Sequence, residues 1–271
     1  MSTQNDRMSQ SYFRLTLLLM LAVCVGLTSC QSDQPQNTER KLPPSGLTVE
    51  QIFDRYTQAL GGTDAIQKIQ SRIIKGTVNY TGVGQQEVVS LGISWKAPDK
   101  FYEIMYSDNR VARRGFKGAE GWGVHWQTGS RQLNPAEMIE IKREAALYQP
   151  LLMRDLYDGM SSEGRMSIDG RETEVIAAVT KEGKTEKFYF DTATYLPIRL
   201  DLWDGGPEAI RRPGEFYLAR YYLSDYKVVD GMQIPFTIRR VRPNSTAIYK
   251  YEEVRQNVET DEKVFEPLPA E

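Results

Sequence analysis

The residues able to carry acid–base, nucleophilic or metal chemistry are few and scattered in this chain. The single histidine, His125, falls on the opposite strand face from its tryptophan neighbours, and no second histidine can join it as a metal ligand. Glu140 and Glu144 are one helical turn apart and could pair as carboxylates, but Lys142 and Arg143 between them favour a solvated helix face. No Gly-x-Ser-x-Gly elbow, phosphate-binding loop or zinc-binding helix motif is present. The sequence therefore predicts a protein without a catalytic site, a metal or a cofactor.

Two further groups of charged residues could bind ions. Asp201 and Asp204 flank Trp203 and could attract a cation, although a polar strand end is the favoured interpretation. Arginine pairs, which we expect on solvated strand faces or turns, occur at three separate places: Arg113-Arg114, Arg211-Arg212 and Arg239-Arg240. The chain has 34 basic and 36 acidic residues and no basic stripe, which argues against nucleic acid as a partner.

The N-terminal segment has the three parts of a secretory signal. Arg7 and Arg14 precede an apolar run over residues 15–27, which is shorter than the roughly 20 residues that span a bilayer. The run ends in Leu27-Thr28-Ser29-Cys30, which resembles the bacterial lipobox. In that motif the cysteine sulfur receives a diacylglycerol and the chain is cut just before the cysteine. We therefore expect residues 1–29 to be a lipoprotein signal peptide and Cys30 to be lipidated; an ordinary signal peptide with an incidental cysteine is the alternative.

Lipidation would fix the location of the protein. One acyl chain gives marginal, reversible membrane binding, whereas two or more give stable anchoring. In lipoproteins of this kind the residue after the cysteine influences sorting, and Gln31 in place of an aspartate favours the outer membrane, facing the periplasm, if the host has one. Cys24 lies inside the signal, so the mature chain would have no disulfide and no thiol nucleophile.

The mature chain begins with a polar segment and continues as one predicted domain. Residues 30–45 contain three prolines and no apolar periodicity, which predicts a disordered tether. Residues 46–271 are expected to form a single domain. It starts with a capping box at Thr48-Val49-Glu50-Gln51 and an amphipathic helix that stops at Gly61-Gly62.

Most of the domain has the alternation of β-strands. Apolar residues alternate with polar ones from Ser71 onward, and Asp169-Gly170 and Asp230-Gly231 are hairpin signals. Asn134-Pro135 predicts one helix inserted among the strands, ending at Pro150. This pattern predicts an α+β fold, mainly antiparallel β, in which a long sheet curls and helices cover one face.

Two segments resemble the LolA/LolB-like superfamily. Residues 188–198 (FYFDTATYLPI) are similar to that family's strand, aspartate turn and Leu-Pro start of the next strand, and residues 225–236 (DYKVVDGMQIPF) to its later hairpin. Gly61-Gly62 and Gly121-Trp122 also look like segments of anchored members. The resemblance implies a strongly curved open half-barrel sheet, with helices covering the concave face and an apolar cavity that holds a lipid or lipoprotein acyl chain.

Apolar and aromatic strand faces are the candidates for such a cavity, and an ordinary packed core would explain them equally well. The candidate lining residues are Val89, Leu91, Ile93, Trp95, Trp122 and Trp126. The leading hypothesis is a membrane-anchored periplasmic lipoprotein that binds an apolar ligand, possibly in lipid or lipoprotein trafficking. The alternative is a non-catalytic envelope interaction or sensing module, which would expose an apolar patch instead. A hydrolase is the least favoured reading, and the sequence indicates no oligomeric state.

Overall fold

One antiparallel sheet dominates the computed structural model, which describes residues 39–82, 85–108, 110–146, 153–204 and 217–266. The strands and α-helices of these residues, in chain order, are β1 (Glu39–Leu42), α1 (Val49–Leu60), α2 (Thr63–Lys68), β2 (Ser71–Gly82), β3 (Gln85–Lys96), β4 (Lys100–Ser107), β5 (Arg110–Lys117), β6 (Glu120–His125), β7 (Gly129–Gln132), α3 (Pro135–Ala145), β8 (Tyr157–Ile168), β9 (Arg171–Thr180), β10 (Thr185–Asp191), β11 (Pro197–Asp204), β12 (Tyr217–Val229), β13 (Met232–Arg242) and β14 (Ser245–Gln256). Short 3-10 turns lie at Arg154–Leu156 and Glu262–Phe265.

The sheet is built from two runs of consecutive hairpins. The strand order is β1-β8-β9-β10-β11-β12-β13-β14-β2-β3-β4-β5-β6-β7, and every neighbouring pair is antiparallel. The run β2–β7 and the run β8–β14 join where β14 pairs with β2 over nearly the full length of both strands. Because β1 and β7 lie at opposite ends of this order, the sheet is open. The predicted fold class, an open and mainly antiparallel sheet with helices, is confirmed.

Local turn chemistry sets the register of the hairpins. Asp169-Gly170 and Asp230-Gly231 each have two successive residues with positive φ, which is the type I′ conformation that matches the twist of the flanking strands. Both hairpin predictions are confirmed.

The helices cover one face of the sheet, called the inner face below. At the start of α1, Thr48 Oγ1 accepts a hydrogen bond from Gln51 N at 3.3 Å and Gln51 Oε1 accepts one from Thr48 N at 2.9 Å, so the predicted capping box is confirmed. Asn134 and Glu137 form the equivalent box at the start of α3. The predicted end of this helix at Pro150 falls in residues 147–152, outside the described residues.

Each helix packs on a different part of that face. Phe53 and Tyr56 of α1 contact Phe190, with ring centroids 5.9 Å and 5.1 Å apart. Ile141 and Ala145 of α3 instead pack with Phe101 and Phe116 of β4 and β5, whose rings stack at 5.9 Å. None of the described helices has the length and apolar character needed to cross a membrane.

The segment predicted to be a disordered tether contains a strand. Glu39–Leu42 forms β1, which pairs with β8 from Glu39 opposite Ile168 to Leu42 opposite Arg165. The Glu39 carboxylate also accepts a hydrogen bond from the guanidinium of Arg199. The predicted disorder over residues 30–45 is therefore corrected for these four residues. A strand at a sheet edge is held by main-chain hydrogen bonds and needs no apolar face. The polar composition of residues 39–42 therefore did not predict β1. The predicted signal peptide, Cys30 and Gln31 lie outside the described residues.

Candidate functional site: a cavity beneath the helices

An apolar cavity lies between the helices and the inner face. Its volume is about 80 Å³, on a scale where one water molecule needs about 10–15 Å³. Its apolar lining comes from α1, α3, the segment after α3 and eight strands, and includes Tyr56, Leu60, Ile93, Trp95, Ala145, Met153, Phe188, Phe190, Leu200 and Met232. The cavity is therefore narrow and lies among the side chains of the core.

The alternation of the strands directs these side chains inward. Phe188 and Phe190 are separated by Tyr189, which faces the outer side and packs there with Ile198. On β3, Ile93 and Trp95 contact both the large apolar cluster under α1 and the small one under α3. Strand β3 thus connects the two regions that the helices cover.

Four of the six candidate lining residues lie on the inner face, and two of them line the cavity. Ile93 and Trp95 are lining residues. Leu91 is buried in the main apolar cluster, and the partly buried Val89 packs against it. Both belong to the packed core beside the cavity.

The other two candidates, Trp122 and Trp126, do not line the cavity, which corrects their predicted placement. Trp122 is buried on the outer face, where its Nε1 donates to Phe265 O at 3.4 Å and its ring lies 5.9 Å from that of Tyr102. Trp126 is 45% exposed, and its indole stacks on His125 at 3.7 Å. Trp122 is covered by the 3-10 turn Glu262–Phe265, which is distant from β6 in sequence. The residue pattern of β6 alone therefore could not predict this contact.

A cluster of buried charges occupies the inner face under α3. Arg114 of β5 is its centre: Nε lies 2.7 Å from Glu103 Oε2, Nη1 lies 3.5 Å from Glu140 Oε2, and Nη2 lies 2.6 Å from Glu144 Oε2. Glu103 and Arg114 face each other directly across β4 and β5, and the α3 glutamates approach from above. The favoured prediction of a solvated face for Glu140 and Glu144 is therefore wrong, because Glu140 is only 5% exposed.

Asp204, at the end of β11, extends this cluster. Its Oδ2 lies 2.6 Å from Arg242 Nη2 and 3.5 Å from Arg240 Nη1. Asp201 faces the outer side, where Arg199 Nη2 lies 2.6 Å from its Oδ2. The two aspartates thus do not form one cation site. Among the described residues, no group of three or more histidine, cysteine, aspartate or glutamate side chains is arranged to hold a metal ion.

Two of the predicted surface arginine pairs have a buried member. Arg114 and Arg240 point into the inner face and are 3% and 4% exposed, while Arg211-Arg212 lies outside the described residues. The single histidine is also buried, and its Nδ1 accepts a hydrogen bond from Gln127 N at 3.2 Å. It has a structural role at the end of β6.

Burial and charge shift the protonation of the acids in this cluster. Burial, against the attraction of Arg114, raises the pKa of Glu140 to about 8 and that of Glu144 to about 7. Burial also opposes ionisation of Asp204, but Arg240 and Arg242 outweigh it and hold the pKa of Asp204 far below its usual range. The cluster therefore gains negative charge as the pH rises through neutrality.

A second, smaller cavity adjoins the apolar one. Its volume is about 20 Å³ on the same scale, and it is lined by Glu140, Arg143, Glu144, Tyr157, Glu186, Leu202, Trp203, Asp204 and Tyr221. Glu144 and Tyr221 line both cavities. The apolar cavity thus ends at a polar compartment with room for one group the size of a water molecule.

Comparison with known proteins identifies the fold. No protein-family model and no curated protein matches the chain. Solved structures do match: a DUF1329 family protein from Desulfovibrio piger is 15% identical with a TM-score of 0.57, and the alignment covers 83% of this chain and 98% of that one.

Two further structures match over similar lengths. A domain assigned to outer membrane lipoprotein sorting, from Vibrio parahaemolyticus, is 11% identical with a TM-score of 0.52 and coverages of 79% and 95%. A LolA superfamily protein from Nitrosomonas europaea is 10% identical with a TM-score of 0.54 and coverages of 81% and 98%. At these identities the likeness concerns the fold, and the fold of this chain is LolA-like.

Proposed function

We propose that this protein is a membrane-anchored envelope lipoprotein whose domain binds the apolar part of a lipid or lipoprotein acyl chain in the cavity beneath α1 and α3. Lipidation at Cys30 after removal of residues 1–29 would provide the anchor, at the outer membrane if the host has one. The observation that carries the proposal is the apolar cavity itself, which lies where the helices of a LolA-like fold meet the sheet.

The lining of the cavity suits a flexible apolar chain. Each methylene that moves from water into such a site contributes about 0.8 kcal/mol, so even a short stretch of acyl chain binds usefully. The volume of about 80 Å³ is less than a long chain needs, so side chains must move as the ligand enters. Met153 and Met232 line the cavity and are unbranched, which makes such rearrangement inexpensive.

In-cell photocrosslinking tests both the anchor and the cavity. Cells that express the full chain are fed a photoactivatable fatty acid and irradiated, and the labelled peptides are mapped by mass spectrometry. We expect metabolic label on the peptide that begins with Cys30 and photocrosslinks on peptides that contain Ile93, Trp95 or Met153. Label on Cys30 alone would support the anchor and contradict the cavity.

A matched pair of variants locates the binding. Ile93→Asp places a charge in the cavity wall and should abolish the photocrosslinks, whereas Ser94→Asp, on the other face of the same strand, should leave them unchanged. If a photoreactive residue at the exposed position of Trp126 captured an envelope protein while the cavity peptides stayed unlabelled, the interaction module would be the better function.

A further inference from the structure

The polar end of the apolar cavity contains more carboxyl groups than guanidinium groups. Four carboxylates and three guanidinium groups meet there: Glu103, Glu140, Glu144 and Asp204 with Arg114, Arg240 and Arg242. Arg114 contacts three of the carboxylates, and the other two arginines contact Asp204. The cations of this cluster are therefore already engaged, and one carboxyl group is in surplus. The cluster becomes net negative once both Glu140 and Glu144 are ionised.

A buried acceptor atom in the same place has no partner. Asp204 is 3% exposed and lines the small polar cavity, and its Oδ1 accepts no hydrogen bond from the described residues. An unsatisfied buried acceptor is costly. The neighbouring groups that can supply a proton to Asp204 are Glu140 and Tyr221. When Glu140 is ionised, the compartment favours an occupant that brings N–H or O–H donors.

From the surplus carboxyl group and the unpartnered acceptor we propose that the cavity selects amphiphiles with a cationic, hydrogen-bond-donating head group, such as a long-chain amine, over amphiphiles with a carboxylate or phosphate head. This inference rests on the proposed function, because it concerns the ligand of the same cavity. The apolar chain lies along Ile93 and Phe190, and the ammonium head occupies the small compartment beside Glu144.

The geometry disfavours an anionic head at this end. A carboxylate beside Glu144 would face like charge in a poorly hydrated site, where such repulsion is stronger than in water. An opposite orientation would bring an anionic head to Arg72, which also lines the apolar cavity and whose Nη2 donates to Gln256 Oε1 at 3.3 Å. Arg72 therefore defines the competing prediction, a preference for acids.

The preference for a cation depends on pH. Glu144 is faced by charged and titratable groups from α3 and four strands: Glu140, Glu103, Arg114, Asp204 and Tyr221. Because burial raises the pKa of Glu144 to about 7, this carboxyl is mostly protonated at pH 6 and mostly ionised at pH 8. An alkylamine stays charged across that range, since amines of this type titrate near 10.4. The preference for the amine should therefore grow from pH 6 to pH 8.

Binding of three ligands of equal chain length tests the inference. The mature protein, held in an amphipathic polymer, is titrated with decylamine, decanoic acid and decanol, and bound ligand is counted by native mass spectrometry. At pH 8 we expect the amine to bind about tenfold or more tightly than the acid, with decanol between them. At pH 6 Glu140 and Glu144 are both mostly protonated and the three arginines outnumber the ionised carboxylates, so the preference for the amine should be lost.

Two variants assign the effect to the acidic compartment. Glu144→Gln should remove most of the amine preference, and Glu87→Gln should keep it, because Glu87 is similarly exposed and paired with an arginine, Arg110, but neither residue lines either cavity. A preference for the acid that Arg72→Gln removes would overturn the inference while leaving the proposed function intact. An amine preference that persists in Glu144→Gln would overturn the assigned site. If none of the three ligands bound, both the inference and the proposed function would fail.

Discussion

The part of the inner face under α1 and the part under α3 are held together by opposite kinds of contact. Under α1, Phe53, Tyr56 and Phe190 pack ring against ring. Under α3, Arg114 and Glu140 belong to a buried ionic cluster. Apolar packing tolerates rearrangement by small steps, whereas a buried ion pair is strongly destabilised when one partner is removed. The difference indicates that the region under α1 can rearrange by small steps, whereas the region under α3 depends on its paired charges.

The largest effect should follow from removing the central cation. Arg114→Ala leaves the buried Glu103 and Glu140 and the partly buried Glu144 without their shared guanidinium, and we expect the free energy of unfolding to fall by about 3–5 kcal/mol. Denaturant unfolding of the protein measures this loss. Arg110→Ala, which breaks the exposed pair with Glu87, is the control and should cost less than about 1 kcal/mol. Equal losses in the two variants would mean that the cluster does not hold α3.

The matching change under α1 should cost somewhat less. Ile52 is fully buried in the apolar cluster, so Ile52→Ala should lower the free energy of unfolding by about 2–5 kcal/mol, depending on how far the neighbours collapse into the space. The same unfolding experiment should give an equal loss at pH 6 and pH 8. A loss that changed with pH would mean that the two regions are coupled.

The region under α3 should make stability depend on pH. The folded pKa of Glu140, about 8, lies above its usual value of 4.5, so the folded state binds a proton that the unfolded state releases. This contribution is complete below about pH 4.5 and is lost as the pH rises through 8, with a slope of up to about 1.4 kcal/mol per pH unit for one group. Unfolding at pH 5, 6, 7 and 8 should show this decline. Glu140→Gln should flatten it, and a slope unchanged in that variant would contradict the assignment.

The smallest expected effect is the same in both regions. Thr48 and Asn134 cap α1 and α3 in the same way, so Thr48→Ala and Asn134→Ala should each lower the free energy of unfolding by about 1 kcal/mol. Thermal unfolding of the two variants side by side tests this. A much larger loss for Asn134→Ala would indicate that the position of α3, and with it the ionic cluster, depends on the first turn.

Local signals in the sequence predicted much of the fold. The capping box at Thr48, the N-cap at Asn134 and the Asp-Gly turns act over a few residues, so they could be read directly. The alternation in β3 placed Leu91 and Ile93 on the inner face correctly. These features need no knowledge of the partner strands.

The charged part of the site was not predicted, because the alternation of apolar residues was the only signal used for the inner face of each strand. On β4 the inner face is formed by Phe101, Glu103 and Met105, so a glutamate occupies an inward position between two apolar residues. Arg114 lies in the same way between Ala112 and Phe116 on β5. A charged residue at an inward position is a readable signal of a buried ion pair. Glu103 and Arg114 meet beneath Glu140 because of the strand pairing and the position of α3. The sequence pattern does not predict either of these.

The two edges of the sheet determine how copies of this protein can meet. Within the described residues both edge strands span four residues and are mostly polar: β1 is ERKL and β7 is GSRQ. Short polar edges are poor templates for strand addition. If Cys30 is lipidated, many copies are confined to one surface, where their local concentration is high. Such neighbours can collide repeatedly without extending one another's sheets, so crowding on the membrane would leave each cavity able to fill and empty independently.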